Sequence, residues 1–147
     1  MRASASIPIA SRPVKLGGKR LLDGGVSDPI PVKWMLSRGY EKNVVVLTRD
    51  VKYRKKANPK MQLFLKAVLH KYPAFLKDLE ERHIHYNETL EELASLEKEG
   101  RVHIIRPSRP IQAAMIERDE SNLERIYQTG RADMKKDLEK LKAYLDS

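Results

Sequence analysis

The chain has 147 residues, of which 41% are hydrophobic and 33% are charged, and its net charge is +9. This length suffices for one domain with a buried core, and the composition is that of a globular protein rather than a disordered one. The sequence contains no cysteine, which excludes disulfides, thiolate metal sites and cysteine nucleophiles. No apolar run approaches the roughly 18 residues that span a bilayer, and none near the start is long enough for a signal peptide. We therefore expect a cytoplasmic protein that can associate peripherally with a membrane.

The first elements predicted are a hairpin and a short helix. Two short segments with apolar residues, 14–16 and 20–22, flank Gly17-Gly18-Lys19, the pattern of a β-hairpin with a glycine turn. Asp28 is suited to cap a helix whose first residue is Pro29. We expect that helix to stop at Gly39.

The remainder of the chain predicts two strands and three further helices. Residues 43–48 form a continuous β-branched run, typical of a parallel strand buried on both faces. Apolar residues then recur at helical spacing over 61–72 and again from 76 to a stop at Gly100. Residues 102–105 predict a second buried strand. Ser121-Asn122-Leu123-Glu124 has the capping-box pattern of a last helix.

This order of elements is typical of an α/β fold. The chain divides into an Asp-bearing hairpin, helix and strand (1–49), a basic loop with helices (50–100), and a last strand with a C-terminal helix (101–147). Strands of the buried type are too few to complete a sheet, so the sheet requires neighbours from elsewhere. We expect an incomplete sheet with several helices.

The most informative motif is Leu21-Leu22-Asp23-Gly24-Gly25, an apolar run that ends on a carboxylate followed by two glycines. A strand that ends at Asp23 would present the carboxylate at a sheet edge facing a cleft, where α/β proteins bind ligands. The glycines would leave room beside the carboxylate and allow positive φ angles.

With its flanks, this motif resembles the catalytic-aspartate region of patatin-like phospholipases, especially bacterial ones. A small-residue segment ending in Ile7-Pro8, the hairpin, Asp-Gly-Gly and a proline-bearing helix start occur in the family's order. Later landmarks, among them Tyr72-Pro73 and His85-Tyr86-Asn87, extend the resemblance over nearly the whole chain. The resemblance implies the C-terminal part of a three-layer α/β/α domain and a Ser-Asp dyad without a cofactor. It also implies Asp23 as the base, Gly24 and Gly25 as its turn, and a lipid or other acyl ester as the substrate.

The chain departs from the family pattern in one important respect. No serine stands in a Gly-x-Ser-x-Gly elbow, and no glycine-rich oxyanion loop is present. The resemblance therefore implies that the nucleophile and oxyanion donors lie upstream, in the missing N-terminal half of the same domain. We expect the 147 residues alone to have no esterase activity.

A basic window is the second notable feature. From Arg49 to Lys71 there are eight cationic residues against one acid, a net charge of +7. Such a window favours nucleic acid, anionic lipid or an acidic protein as partner, or it is simply a solvated face. The candidate contacts to anionic lipid are Lys52, Arg54, Lys55 and Lys56. An alternative function is therefore a non-catalytic basic module that binds anionic membrane or nucleic acid. Nucleic acid is the less favoured partner, because one short cluster without a recognition fold is thin support.

Other candidates are weaker. The 61–72 helix is suited to be a lid or interfacial helix, but core packing is the favoured interpretation. His83 and His85 are two residues apart and would point in different directions on a helix, so no metal site is expected. His70 and His103 have no acidic or histidine neighbour at useful spacing. Trp34 is predicted to be core or cleft wall.

Overall fold

The computed structural model describes residues 1–8, 11–114 and 117–147. Within these ranges it contains two two-stranded sheets and four α-helices, a mixed α/β architecture that confirms the predicted fold class. The elements are β1 (Val14–Leu16), β2 (Lys19–Leu21), α1 (Val32–Ser37), β3 (Asn43–Val46), α2 (Pro59–Leu69), α3 (Pro73–Lys98), β4 (Val102–Ile105) and α4 (Glu120–Asp146), with a 3₁₀ turn over Gly24–Val26.

The chain is organised as two compact units. The first unit comprises residues 1–31 and 55–90, and the second comprises residues 32–54 and 91–147. The β1–β2 hairpin, the 3₁₀ turn and α2 belong to the first unit, and the β3–β4 pair, α1 and α4 belong to the second. Helix α3 contributes its first part to one unit and its last part to the other.

The predicted hairpin is confirmed, with its second strand beginning at Lys19, one residue earlier than expected. Val14 pairs with Leu21 and Leu16 with Lys19, so the loop between the strands consists of Gly17 and Gly18 alone. Both glycines have positive φ angles, +54° and +74°. This is the geometry that matches the natural twist of two antiparallel strands and that glycine adopts most easily. The hairpin thus places Asp23 two residues after the end of β2.

Helix α1 begins later than the sequence predicts. It starts at Val32, not at Pro29 with Asp28 as its cap. A residue that precedes proline is disfavoured in helical conformation, and Ile30 precedes Pro31, so the helix forms only after the second proline. The predicted stop is confirmed, because Gly39 has a φ of +85°.

Trp34 on α1 is more exposed than predicted. Its side chain is 53% exposed, and the guanidinium carbon of Arg38 lies 5.0 Å from the centre of its ring. The prediction of a core or cleft-wall position is therefore wrong. A cation stacked on the ring covers part of its surface instead.

The two predicted strands of the second unit are confirmed, and they pair in parallel. Asn43 lies opposite Val102 and Val46 opposite Ile105. Val102 is 2% exposed, whereas Val44 and Val46 are 42% and 68% exposed. The expectation that β3 is buried on both faces is therefore wrong. Asn43 is buried and Val45 half-buried on one face, whereas the other face is exposed to solvent. In the described residues this sheet is incomplete.

Helices α2 and α3 both begin at a proline, and α2 is preceded by a capping asparagine. The Asn58 side chain accepts the N–H of Met61 at 3.1 Å, and Pro59 occupies the start of α2. Pro73 begins α3. The core-packing interpretation of the 61–72 segment holds for Leu65 but is wrong for most of its apolar residues, which are exposed.

The last helix has a different cap from the one predicted. Its N-cap is Asp119, whose carboxylate accepts the backbone N–H and the hydroxyl of Ser121 at 3.0 and 2.7 Å. Ser121 is therefore inside the helix, and the capping-box prediction is wrong. A carboxylate is a stronger acceptor than a hydroxyl and also suits the positive end of the helix dipole. The hydrogen bond from the Ser121 hydroxyl, in turn, lowers the pKa of Asp119.

Polar contacts join α4 to the strands of the second unit. The Tyr144 hydroxyl accepts the Asn43 N–H at 2.8 Å and donates to the Arg101 carbonyl at 2.9 Å. Nε2 of His103 lies 2.6 Å from Oδ2 of Asp137. This acidic partner is 34 positions from His103, so it is not a neighbour at the spacing that sequence patterns reveal.

We predict that Tyr144→Phe lowers the free energy of unfolding of the chain by about 1–3 kcal/mol, because it removes two hydrogen bonds that usually contribute about 0.5–1.5 kcal/mol each. Urea denaturation followed by circular dichroism measures this change. Tyr127→Phe is the matched control, because Tyr127 is 58% exposed. It should change the free energy by less than about 0.5 kcal/mol, as surface substitutions do. Equal effects of the two substitutions would contradict the role given to Tyr144.

Candidate active site around Asp23

Asp23 lies two residues after β2 and starts the 3₁₀ turn over Gly24–Val26. Its backbone N–H donates to the carbonyl of Ser6 at 3.0 Å, which ties it to the N-terminal segment. Ser6 is buried, and its hydroxyl donates to the carbonyl of Arg2 at 2.9 Å. The backbone of Asp23 is thus held on one side by the hairpin and on the other by this segment.

The two carboxylate oxygens of Asp23 have different surroundings. Oδ1 accepts the backbone N–H of Gly25 at 2.8 Å, which makes Asp23 the cap of the 3₁₀ turn. Within the described ranges, Oδ2 accepts no hydrogen bond and no cation lies within ion-pair distance of the carboxylate. One oxygen is therefore fixed, and the other remains available to a proton donor.

Gly25 is favoured by the space around it and not by its φ angle. A Cβ at this position would lie 3.2 Å from Oδ1 of Asp23, whereas a Cβ at Gly24 would meet nothing within 4 Å. Neither glycine has a positive φ, so the turn does not use the conformational freedom that glycine allows. A 3₁₀ turn keeps the backbone in the right-handed region, where any residue can lie.

Arg82 is a site residue that the sequence did not reveal. Its Nε donates to the carbonyl of Gly25 at 2.6 Å, and both residues belong to the first unit. The carbonyl and the N–H of Gly25 are therefore both engaged, one by Arg82 and one by Asp23. Arg82 is 57 residues from Gly25 and stands among many charged residues of α3, so no local pattern marks it.

Asp23 lies on the wall of a cavity of about 520 Å³ in the first unit. Most of the wall is apolar, and its members include Leu21, Val26, Val68, Leu69 and Phe75. Its charged side chains are Arg20, Asp23 and Asp78, and Nη1 of Arg20 donates to the Tyr72 hydroxyl at 2.7 Å. An apolar cavity with a few polar groups is the usual form of a small-molecule site.

The four predicted lipid contacts do not share one environment. Lys52, Arg54 and Lys56 are exposed, whereas Lys55 is half-buried. The Lys55 backbone N–H and carbonyl both pair with the side-chain amide of Asn87, at 2.9 and 3.0 Å. Its ammonium lies 5.5 Å from the centre of the Tyr86 ring. Lys55 is thus bound to α3.

No group of three or more potential metal ligands occurs among the described residues. Nδ1 of His83 lies 2.9 Å from the Glu80 carbonyl oxygen, and His85 contacts Glu88 at 3.2 Å. None of the helices in these ranges combines the length and the apolar character that crossing a bilayer requires.

We predict that Gly25→Ala destabilises the chain relative to Gly24→Ala. The new methyl group at position 25 must shift the Asp23 carboxylate by a few tenths of an ångström, whereas the one at position 24 meets open space. Gly24→Ala should be neutral or stabilising by up to about 1 kcal/mol, because alanine restricts the unfolded chain. Chemical denaturation of the two variants measures the difference. Equal stabilities would contradict the close approach at Gly25.

Comparison with protein families gives two matches. Residues 1–36 match the Patatin-like phospholipase model, a span that contains Asp23, Gly24 and Gly25. Residues 72–146 match the Domain of unknown function (DUF6363). No curated protein and no solved structure matches the chain. The patatin-like match does not reach the landmarks from Tyr72 onward, which lie in the second span. Because that second span covers just over half of the chain, the protein belongs to the family defined by the Domain of unknown function (DUF6363).

Proposed function

We propose that this chain supplies the catalytic aspartate of a patatin-like serine acyl hydrolase, whose serine lies in polypeptide outside these 147 residues. The match of residues 1–36 to the patatin-like model supports a relationship between this site and patatin-like hydrolases. The observation that carries the proposal is the state of Asp23. One carboxylate oxygen is fixed by Gly25, and the other has no partner among the described residues at the wall of an apolar cavity.

In the proposed reaction, Oδ2 of Asp23 accepts the proton of a serine hydroxyl while the serine oxygen attacks the acyl carbon of an ester. The ester C–O bond then breaks, and the protonated aspartate returns the proton to the departing alcohol. Water attacks the resulting acyl-enzyme, with Asp23 again accepting a proton. In the collapse of the second tetrahedral intermediate, the bond between the acyl carbon and the serine oxygen breaks, Asp23 returns its proton to that oxygen, and the carboxylic acid is released.

The cavity favours an ester with a hydrocarbon portion. Leu21, Val68 and Phe75 would remove apolar surface of the substrate from water, at about 25 cal/mol per Å². We therefore include phospholipids and other acyl esters in the proposed substrate class. Arg82 has a positioning role, since it holds the carbonyl of the residue that orients Asp23.

No serine of this chain is assigned as the nucleophile. Ser11 and Ser27 line the same cavity, but neither stands between two glycines in the elbow spacing. The Ser27 hydroxyl donates to the carbonyl of Gly24 at 3.3 Å. The 147 residues alone should not hydrolyse a chromogenic short-chain ester. Hydrolysis by the purified chain that Asp23→Ala abolishes would place the nucleophile within it and contradict this part of the proposal.

We predict that Asp23→Asn lowers kcat by about three orders of magnitude or more in a protein that also contains the Gly-x-Ser-x-Gly elbow. Asparagine keeps the acceptor for the Gly25 N–H but cannot take up the serine proton, so KM should change little. Steady-state kinetics on a chromogenic ester measure both constants. Asp78→Asn is the matched control, because Asp78 is a second carboxylate on the same cavity wall. Near wild-type turnover in Asp23→Asn would remove Asp23 from the mechanism.

A further inference from the structure

Helix α2 exposes an apolar stripe to solvent. Met61, Phe64 and Val68 follow one another at helical spacing and are 49%, 49% and 47% exposed. Leu65, which lies beside Met61 and Val68 at the edge of the same stripe, is buried at 8% exposure. We refer to Met61, Phe64 and Val68 as the α2 apolar face. Half-exposed side chains of this size grouped on one helix mark an interaction surface, whereas single exposed ones do not.

The α2 apolar face is continuous with the cavity that contains Asp23. Val68 belongs to both, since it is half-exposed and also lines the cavity. Leu69 and Tyr72 extend the cavity wall beyond it. An apolar surface that binds at this face would therefore lie next to the cavity wall. All of these residues belong to the first unit.

The sequence segment that contains α2 is rich in positive charge. No aspartate or glutamate occurs from Val51 to Lys77, a segment with eight lysines and arginines. Lys60 stands four residues before Phe64 and is therefore its neighbour on the helix surface. Lys66 forms an ion pair with Glu80 of α3 at 3.1 Å. An apolar stripe flanked by lysines is the pattern of helices that lie in the interface of anionic membranes.

We infer that helix α2 binds the surface of an anionic phospholipid bilayer, with the α2 apolar face inserted at the boundary of the acyl chains. Lysines of the first unit, such as Lys60, then contact the lipid phosphates. A nucleic acid backbone would leave the apolar face without an apolar partner. A second copy of the chain carries the same positive charge and would be repelled. The inference rests on α2 and not on the proposed role of Asp23, so each can fail without the other.

The first test is cosedimentation of the 147-residue chain with lipid vesicles. The chain should bind vesicles that contain about 30% phosphatidylglycerol and bind neutral phosphatidylcholine vesicles much more weakly. Raising the salt from about 0.1 M to about 1 M should weaken binding at least tenfold by screening the lysines. Absence of binding to anionic vesicles at low salt would overturn the inference.

Substitution of the face separates insertion from simple charge attraction. The triple variant Met61→Ser, Phe64→Ser, Val68→Ser should lower the partition coefficient between vesicles and water by about tenfold or more. It removes most of the apolar area that would be buried in the bilayer on binding. The matched control carries Leu123→Ser, Leu138→Ser and Leu145→Ser on α4, where the leucines are 46%, 39% and 55% exposed. It should bind like wild type, with helix content verified by circular dichroism. Equal losses in both variants would contradict a specific role of α2.

A depth measurement tests insertion directly. In a Trp34→Phe background, the fluorescence of Phe64→Trp should shift to the blue on vesicle binding and be quenched by brominated acyl chains. Bound protein without quenching would contradict insertion of α2. Displacement of the vesicles by duplex DNA, or self-association that the triple serine variant abolishes, would equally overturn the inference in favour of those partners. None of these results bears on the kinetics of Asp23→Asn.

Discussion

The arrangement of the candidate site depends on the two hydrogen bonds of Gly25. Its N–H donates to Oδ1 of Asp23 at 2.8 Å, and its carbonyl accepts Nε of Arg82 at 2.6 Å. A short turn leaves its backbone groups without the partners that strands and helices supply, so side chains must satisfy them. Here the two side chains that do so also orient the carboxylate. Gly25 lies in the span that matches the patatin-like model and Arg82 in the span that matches the family of unknown function, so this contact joins the two matched segments.

The same unit combines the features that hydrolysis of a lipid ester would require. A carboxylate with one unpartnered oxygen in the described structure faces a cavity whose wall is largely apolar. Val68 connects this wall to the exposed face of α2, and the surrounding segment carries positive charge without acids. Under the two proposals, the substrate would pass from a bilayer to the cavity along one apolar surface. Under the first proposal, polypeptide outside these residues supplies the nucleophile.

Local chemistry determined what the sequence could predict. The hairpin and the stop of α1 follow from Gly17, Gly18 and Gly39, whose positive φ angles restrict the chain within a few residues. The capping-box pattern predicts the N-cap of α4 at Ser121, two residues after the true N-cap, Asp119. Either side chain can accept a backbone N–H, and the carboxylate is the stronger acceptor. The patatin-like assignment was predictable around Asp23, where a family model matches, but not from Tyr72 onward. Arg82 and the His103–Asp137 contact join distant residues, and one sequence contains no signal for them.

The most direct test of the central claim is an experimental structure of this chain together with the polypeptide that carries the Gly-x-Ser-x-Gly elbow. The account predicts that a serine Oγ lies about 2.6–3.2 Å from Oδ2 of Asp23, within hydrogen-bond reach. Oδ1 should still accept the N–H of Gly25, since that bond leaves only the other oxygen for the serine. An Oδ2 paired with an arginine or lysine, or an elbow serine far from Asp23, would contradict the account.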